Sequence, residues 1–202
     1  MREFISVEEA RSIILEQVTP LPVERVSLAE ALGRRLAEAV VSRDDIPPFP
    51  NAAMDGYAVR LADVQQVPAT LRVVADVGAG QLPPASIPPG ACIRIMTGAP
   101  VPAWAEAVVP VEWTEAGANG TVRILQAPAA GENIRPAGQD VRAGERFFEV
   151  GQRITPPVVA MLATLGVAEV PVFRRPRVAI VATGDELIDA GQPLTPGHIR
   201  DS

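Results

Sequence analysis

A mixed α+β fold divided into more than one domain is predicted by three features of this sequence. Helix-capping signals stand at Ser6, Ser27 and Thr155, while short β-branched segments separated by turn clusters fill residues 57–125. Between the first two groups runs Asp44-Asp45-Ile46-Pro47-Pro48-Phe49-Pro50, whose three prolines suit neither a helix interior nor a central strand, so the chain is expected to cross between domains there.

The elements follow in order. Ser6 and Glu9 form a capping box, after which Val7, Ala10, Ile13, Ile14 and Val18 recur at helical spacing as far as Pro20. Val23 to Val26 reads as a short strand. Ser27 with Glu30 repeats the capping box, and Gly33 offers the stop for a brief helix before a strand at Leu36 to Ser42. Strands are then predicted at Tyr57–Arg60, Leu71–Val77, Cys92–Met96, Ala107–Trp113 and Thr121–Leu125, with Asn119-Gly120 as a hairpin signal between the last two. This spacing describes a small antiparallel sheet or barrel. Thr155 as cap, Pro156 as first helical residue, an apolar run to Leu165 and Gly166 as terminator specify a further helix. Beyond Pro176, Arg177 to Ala182 has the nearly all-apolar character of a strand buried on both faces of a parallel sheet. It reads as the start of an α/β unit that Ser202 cuts short.

Composition narrows the chemistry. The chain of 202 residues is 48% apolar, so it can bury a core, and its 16 Gly and 21 Pro indicate many turns. Its 18 basic residues, all Arg, are outnumbered by 24 acidic ones for a net charge of −6, which argues against nucleic acid as a partner. A single cysteine, Cys92, excludes an internal disulfide. With one histidine, His198, no Cys/His zinc site can be assembled, so any metal must be held by oxygen. Cys92 is expected as a buried small hydrophobe and His198 in a structural role. The stretch Met1 to Arg11 contains Glu3, Glu8 and Glu9 and no long apolar run, so it is no targeting signal. Pro156 to Phe173 is too short and interrupted to span a bilayer. The expected location is the cytoplasm, with no membrane partner.

Four segments could carry chemistry. In Phe49 to Val59, Asp55 either serves a tight Asp-Gly turn or is held at a sheet end as an oxygen ligand or proton acceptor. In Arg94 to Pro100, the Thr97-Gly98 turn either ends a strand or presents N–H groups and a hydroxyl to an oxyanion. In Gly131 to Asp140, Arg135 and Asp140 either form a surface ion pair or suit an oxyanionic ligand accompanied by a metal. In Thr183-Gly184-Asp185-Glu186, two adjacent carboxylates follow a predicted strand, where open α/β sheets bind ligands. Helix capping by Asp185 and Glu186 is the alternative.

Taken in order, Pro50-Asn51-Ala52-Ala53-Met54-Asp55-Gly56-Tyr57-Ala58, Ile95-Met96-Thr97-Gly98-Ala99, Glu132-Asn133-Ile134-Arg135 with Gly138 and Asp140, and Thr183-Gly184-Asp185-Glu186-Leu187 resemble the molybdopterin molybdenumtransferase family. That family includes the bacterial molybdenum-insertion enzyme and the E domain of gephyrin, and the likeness runs from Ser6 to Ser202. It implies a discontinuous, elongated first domain at 1–45 and 141–175, an inserted β domain at 46–140, and the truncated start of an α/β molybdopterin-binding domain at 176–202. It also implies a homodimeric enzyme that transfers molybdenum from molybdate to adenylylated molybdopterin with a divalent cation, Mg²⁺, releasing AMP.

Carried over by the same resemblance, Asp55 and Thr97 match positions that reach across a dimer, and Asp140 and Glu186 match acidic residues used in molybdate insertion. Asp185 and Glu186 would lie near the metal, Thr183 and Gly184 would cradle phosphate or pterin, Asp55 and Asp140 would orient Mg²⁺ or its waters, and Arg135 would balance charge. The 202-residue chain by itself is expected to be inactive. Two rivals stand beside this reading. One is a non-catalytic dimerisation or scaffold module derived from the family. The other is a related pterin-binding-like domain, which has no reason to carry Met54-Asp55-Gly56-Tyr57.

Overall fold

The computed structural model describes residues 4–201; Met1 to Glu3 of the N-terminal stretch, and Ser202 at the end of the family likeness, lie outside the described residues. In chain order the regular elements are α1 (Val7–Glu16), β1 (Val23–Ser27), α2 (Leu28–Ala31), β2 (Val40–Val41), β3 (Asn51–Ala52), β4 (Gly56–Val59), β5 (Ala69–Val77), β6 (Ala91–Ile95) and β7 (Ala107–Pro110). They continue with β8 (Thr114–Ala116), β9 (Thr121–Ile124), β10 (Ile134–Arg135), β11 (Arg146–Phe148), α3 (Pro156–Thr164), β12 (Glu169–Phe173), β13 (Leu187–Ile188) and β14 (Ile199–Arg200).

Two of the three capping signals act through their side chains, at Ser6 and Ser27, whereas Thr155 occupies the cap position of α3 without a side-chain cap bond. The Ser6 hydroxyl accepts the Glu9 amide at 3.1 Å to open α1. At α2 the Glu30 carboxylate accepts from both the hydroxyl and the amide of Ser27, at 2.8 and 3.3 Å. Pro156 starts α3, which buries Val158 and Leu162, and Gly166 at φ +72° follows its end. By contrast, no residue of α1 is buried. Its apolar residues Val7, Ile14 and Leu15 remain exposed.

Three expectations are corrected. The Leu36–Ser42 strand is reduced to the two residues of β2, because successive parts of that segment find different partners. Leu36 bridges Val172, and only Val40 and Val41 pair with β11. The central sheet is mixed, not antiparallel. Its order is β7-β4-β6-β5-β9-β8, and β5 runs parallel to β6. Residues 78–90 make the long return that a parallel pair requires. That return is pinned where the Arg60 guanidinium donates to the carbonyls of Ile87 and Pro88, and the Trp104 indole to that of Pro84. Finally, Arg177–Ala182 forms no strand, and Val178, Ile180 and Val181 are 77%, 93% and 78% exposed. A strand meant for two covered faces has neither neighbour strands nor helices among the described residues to pair with.

Smaller adjustments have local causes. Ala107–Trp113 splits at Pro110 into β7 and a 3₁₀ turn at Val111–Trp113. The hairpin marked by Asn119-Gly120 is real, with φ values of +55° and +74°, but it joins β9 to β8 rather than to β7.

The core lies in three clusters. One gathers Leu36, Ile154, Leu162, Val170 and Val172 around α2 and α3. The other two follow the period-two alternation of the central sheet. Val59, Cys92 and Val109 belong to one, and Ala58, Ile93, Ile95 and Val108 to the other, so the strands β4, β6 and β7 are covered on both sides. Among the described residues no helix is long and apolar enough to cross a membrane.

Candidate functional site

The two-residue strand β3 is where three of the four chemistry-bearing segments meet. The Ala52 amide donates to the Ala99 carbonyl at 3.0 Å, and the Gly98 amide returns a bond to the Ala52 carbonyl at 2.9 Å. Ala53 donates to the Asn133 carbonyl at 2.9 Å, and Asn51 and Ala52 lie in register with Arg135 and Ile134 of β10. Segments 49–59, 94–100 and 131–135 are thus joined by main-chain bonds, whose geometry is stiff and does not depend on side-chain rotamers.

Asp55 immediately precedes β4 and Thr97 follows β6, and the antiparallel register Gly56↔Ile95 brings them to the same sheet end. One carboxylate oxygen of Asp55, Oδ1, accepts from the Thr97 amide at 2.8 Å and from its hydroxyl at 2.6 Å. The Thr97 hydroxyl, its amide and, more weakly, the charge of Arg94 hold the Asp55 carboxyl below the ordinary value of 3.8, against an opposing effect of partial desolvation. Oδ2 has no partner among the described residues, so the exposed side chain presents one free, ionised oxygen outward. Gly56 makes the approach possible: a Cβ there would stand 2.1 Å from the Val109 carbonyl oxygen of β7.

The Thr97 donors that the sequence reading offers to an external oxyanion are therefore occupied by an internal one. Asp55 is not merely a turn residue either, because its side chain reaches across to Thr97 instead of closing its own turn. Arg135 is exposed at β10 and makes no side-chain hydrogen bond or ion pair among the described residues. The surface ion pair with Asp140 is not formed. Asp140 is exposed too, and its amide donates to the Ile46 carbonyl at 2.9 Å, next to the proline run. Within the same segment Asn133 locks the loop, its side-chain amide donating to the Val108 carbonyl at 2.9 Å.

Thr183, Gly184, Asp185 and Glu186 lie on an exposed turn closed by the Leu187 amide on the Gly184 carbonyl at 3.1 Å. The Glu186 carboxylate folds back over Gly184, where both its oxygens would be 2.6 Å from an added Cβ. No hydrogen bond or ion pair connects this turn to Asp55, Thr97, Arg135 or Asp140. Among the described residues no three His, Cys, Asp or Glu side chains form a metal-holding group. Asp185 and Glu186 supply two oxygen donors of the kind Mg²⁺ accepts while keeping several waters, so they fit that ion in chemical type. A cavity of about 730 Å³ lined by Arg25, Glu38, Ser42, Arg43 and Glu169, among others, contains none of these residues.

Cys92 is fully buried, and desolvation pushes its thiol up to about 12, which makes it a core residue and not a nucleophile. His198 has a structural partner, its Nδ1 lying 3.0 Å from the Thr195 hydroxyl. Sequence reasoning passes over Asn51. It is part of the first motif, but only its burial at the β3 junction sets it apart.

The comparisons with known proteins follow the same span. Two curated relatives are named molybdopterin molybdenumtransferase. The protein from Haemophilus influenzae is 40% identical over 199 residues, covering 98% of this chain and 49% of its own length. Molybdopterin molybdenumtransferase 2 from Mycobacterium tuberculosis is 42% identical over 201 residues, with coverage of 98% and 49%. The chain thus spans about half the length of the curated relatives it matches. The crystal structure of the molybdopterin biosynthesis MoeA protein from Pyrococcus horikoshii superimposes with a TM-score of 0.87 at 37% identity, covering 96% of this chain and 52% of that one. With residues 5–166 also matching the family described as the MoeA N-terminal region (domain I and II), the chain belongs to that family.

Proposed function

We propose that this protein acts in molybdenum cofactor biosynthesis, as a cytoplasmic homodimeric molybdopterin molybdenumtransferase that moves molybdenum from molybdate to adenylylated molybdopterin and releases AMP. The supporting observation is the convergence on β3 of the segments bearing Asp55, Thr97 and Arg135, in a chain whose relatives carry that name over 98% of its length.

Breaking a phosphoanhydride while seating a second anion requires charge compensation on the phosphate oxygens and a place for the incoming oxyanion. A site of carboxylates alone repels molybdate. Arg135, without a counter-ion among the described residues, supplies the positive charge on the β3 scaffold. Asp55 and Asp140 present side-chain oxygens that orient water, and Thr97 works through Asp55, fixing the carboxylate so that Oδ2 faces outward. Thr183 and Gly184 cradle phosphate or pterin. Asp185 and Glu186 would hold Mg²⁺, which when bound neutralises charge on the phosphate and molybdate oxygens. In this reading Asp55 and Thr97 of one subunit face the Thr183–Glu186 turn of the other, and the domains divide as 1–45 with 141–175, 46–140 and 176–202.

The test is reconstitution. The full-length protein, given adenylylated molybdopterin, molybdate and Mg²⁺, is expected to release AMP in step with molybdenum bound to the pterin; no AMP release would overturn the proposal. The exposure of Val178, Ile180 and Val181 favours a second reading for the 202-residue chain taken alone, that of a non-catalytic dimerisation or scaffold module. Under that reading the chain dimerises but releases no AMP.

A further inference from the structure

Asn51 is only 8% exposed, and its side-chain oxygen Oδ1 is buried without a hydrogen-bond partner. Native structures pair nearly all such atoms, so an orphaned carbonyl calls for a specific donor. The neighbour on one side of β3 is Pro100, which has no N–H to give. On the other side Arg135 stands directly opposite Asn51 in the antiparallel pair with β10, so both side chains leave the same face of the ribbon. Arg135 has the complementary deficit: a fork of five N–H donors and no acceptor among the described residues.

We infer that Asn51 is a positioning residue for Arg135. The bond is not made in the structure as it stands; when a tetrahedral oxyanion, molybdate or a phosphate group, binds on that face of the β3–β10 ribbon, Oδ1 accepts one guanidinium N–H and the remaining N–H groups turn toward the anion. This rests on the reading of Arg135 as an anion-binding group given above. A neutral acceptor suits the task. It fixes the orientation of a flexible side chain without cancelling its charge, whereas a carboxylate at the same place would form an ion pair that competes with the anion.

The experiment is a double-mutant cycle on the full-length protein, with molybdate and AMP titrated separately by calorimetry so that the two sources of oxyanion are distinguished. Asn51→Ala is expected to weaken binding of at least one of them about tenfold, and to change it less than twofold once Arg135→Ala is present. Asn51→Leu, which fills the space without an acceptor, is expected to behave like Asn51→Ala and serves where the smaller side chain proves unstable. An equal loss in both backgrounds, as a purely structural role would give, overturns the inference and leaves the Arg135 assignment intact. So does the absence of any loss from either Asn51 variant. If Arg135→Ala itself leaves both anions bound as before, the anion-binding role of Arg135 falls and this inference with it.

Discussion

Thr97 gives both its amide and its hydroxyl to one oxygen of Asp55, a residue 42 positions earlier in the chain, and so fixes a carboxylate at the end of the central sheet. Two donors on one oxygen favour the ionised form, which gives the pair a measurable signature. Thr97→Val removes the hydroxyl and keeps the backbone bond, so the Asp55 carboxyl is expected to rise toward 3.8, its ordinary value. Carbonyl-detected NMR titration of the side chain measures this directly. The sign of the linkage follows: the Asp55–Thr97 contact stabilises the fold above the unfolded carboxyl's pKa, and that contribution is lost as pH falls through the lowered folded value. An Asp55 titration identical in wild type and Thr97→Val would show that the hydroxyl does nothing.

Gly56→Ala is expected to destabilise the protein by about 3 kcal/mol, since the new methyl group would meet a backbone oxygen of β7 at 2.1 Å and neither strand can yield without disturbing a sheet covered on both faces. Urea denaturation measures the loss. A change below about 0.5 kcal/mol would mean that β4 and β7 are not held as closely as described.

Glu186→Ala in the full-length protein is expected to reduce molybdenum transfer at least tenfold with the melting temperature unchanged, because the side chain is exposed and supports no other residue. Full activity would remove Glu186 from the site. Mixing Asp55→Asn subunits with Glu186→Ala subunits is expected to restore part of the activity if the two groups act across a dimer, and the absence of rescue would place them in one subunit.

Cys92 in the folded protein is expected to resist alkylation by iodoacetamide at pH 8 and to react once urea unfolds the chain, since its thiol is buried and its pKa is pushed up to about 12. Mass spectrometry of the modified peptide gives the answer. Rapid labelling of the native state would contradict its place in the sheet core.

What the sequence made legible was local. Ser6, Pro156 and Gly166 act within one helical turn of themselves, and Asn119-Gly120 sets a hairpin by its own backbone preferences. Features that depend on distant partners were hidden. The parallel β5–β6 pair follows from the path of residues 78–90 over the sheet, which no periodicity encodes. The apolar pattern of Arg177–Ala182 states a preference for burial that nothing in the described chain satisfies. At the site, Asp55, Thr97 and Arg135 could be singled out by residue type and turn context, but the direct bond between Asp55 and Thr97 required the Gly56↔Ile95 register. Asn51, an ordinary amide in a turn-rich motif, acquires significance only from the burial of its oxygen.

The junction at β3 is made by peptide groups, with small residues, Ala52 and Ala99, filling the crossing. Amide-to-carbonyl links are blind to what the side chains carry. Reactive groups mounted beside them can therefore be exchanged one at a time without rebuilding the frame, which makes the β3 junction a realistic scaffold for directed evolution.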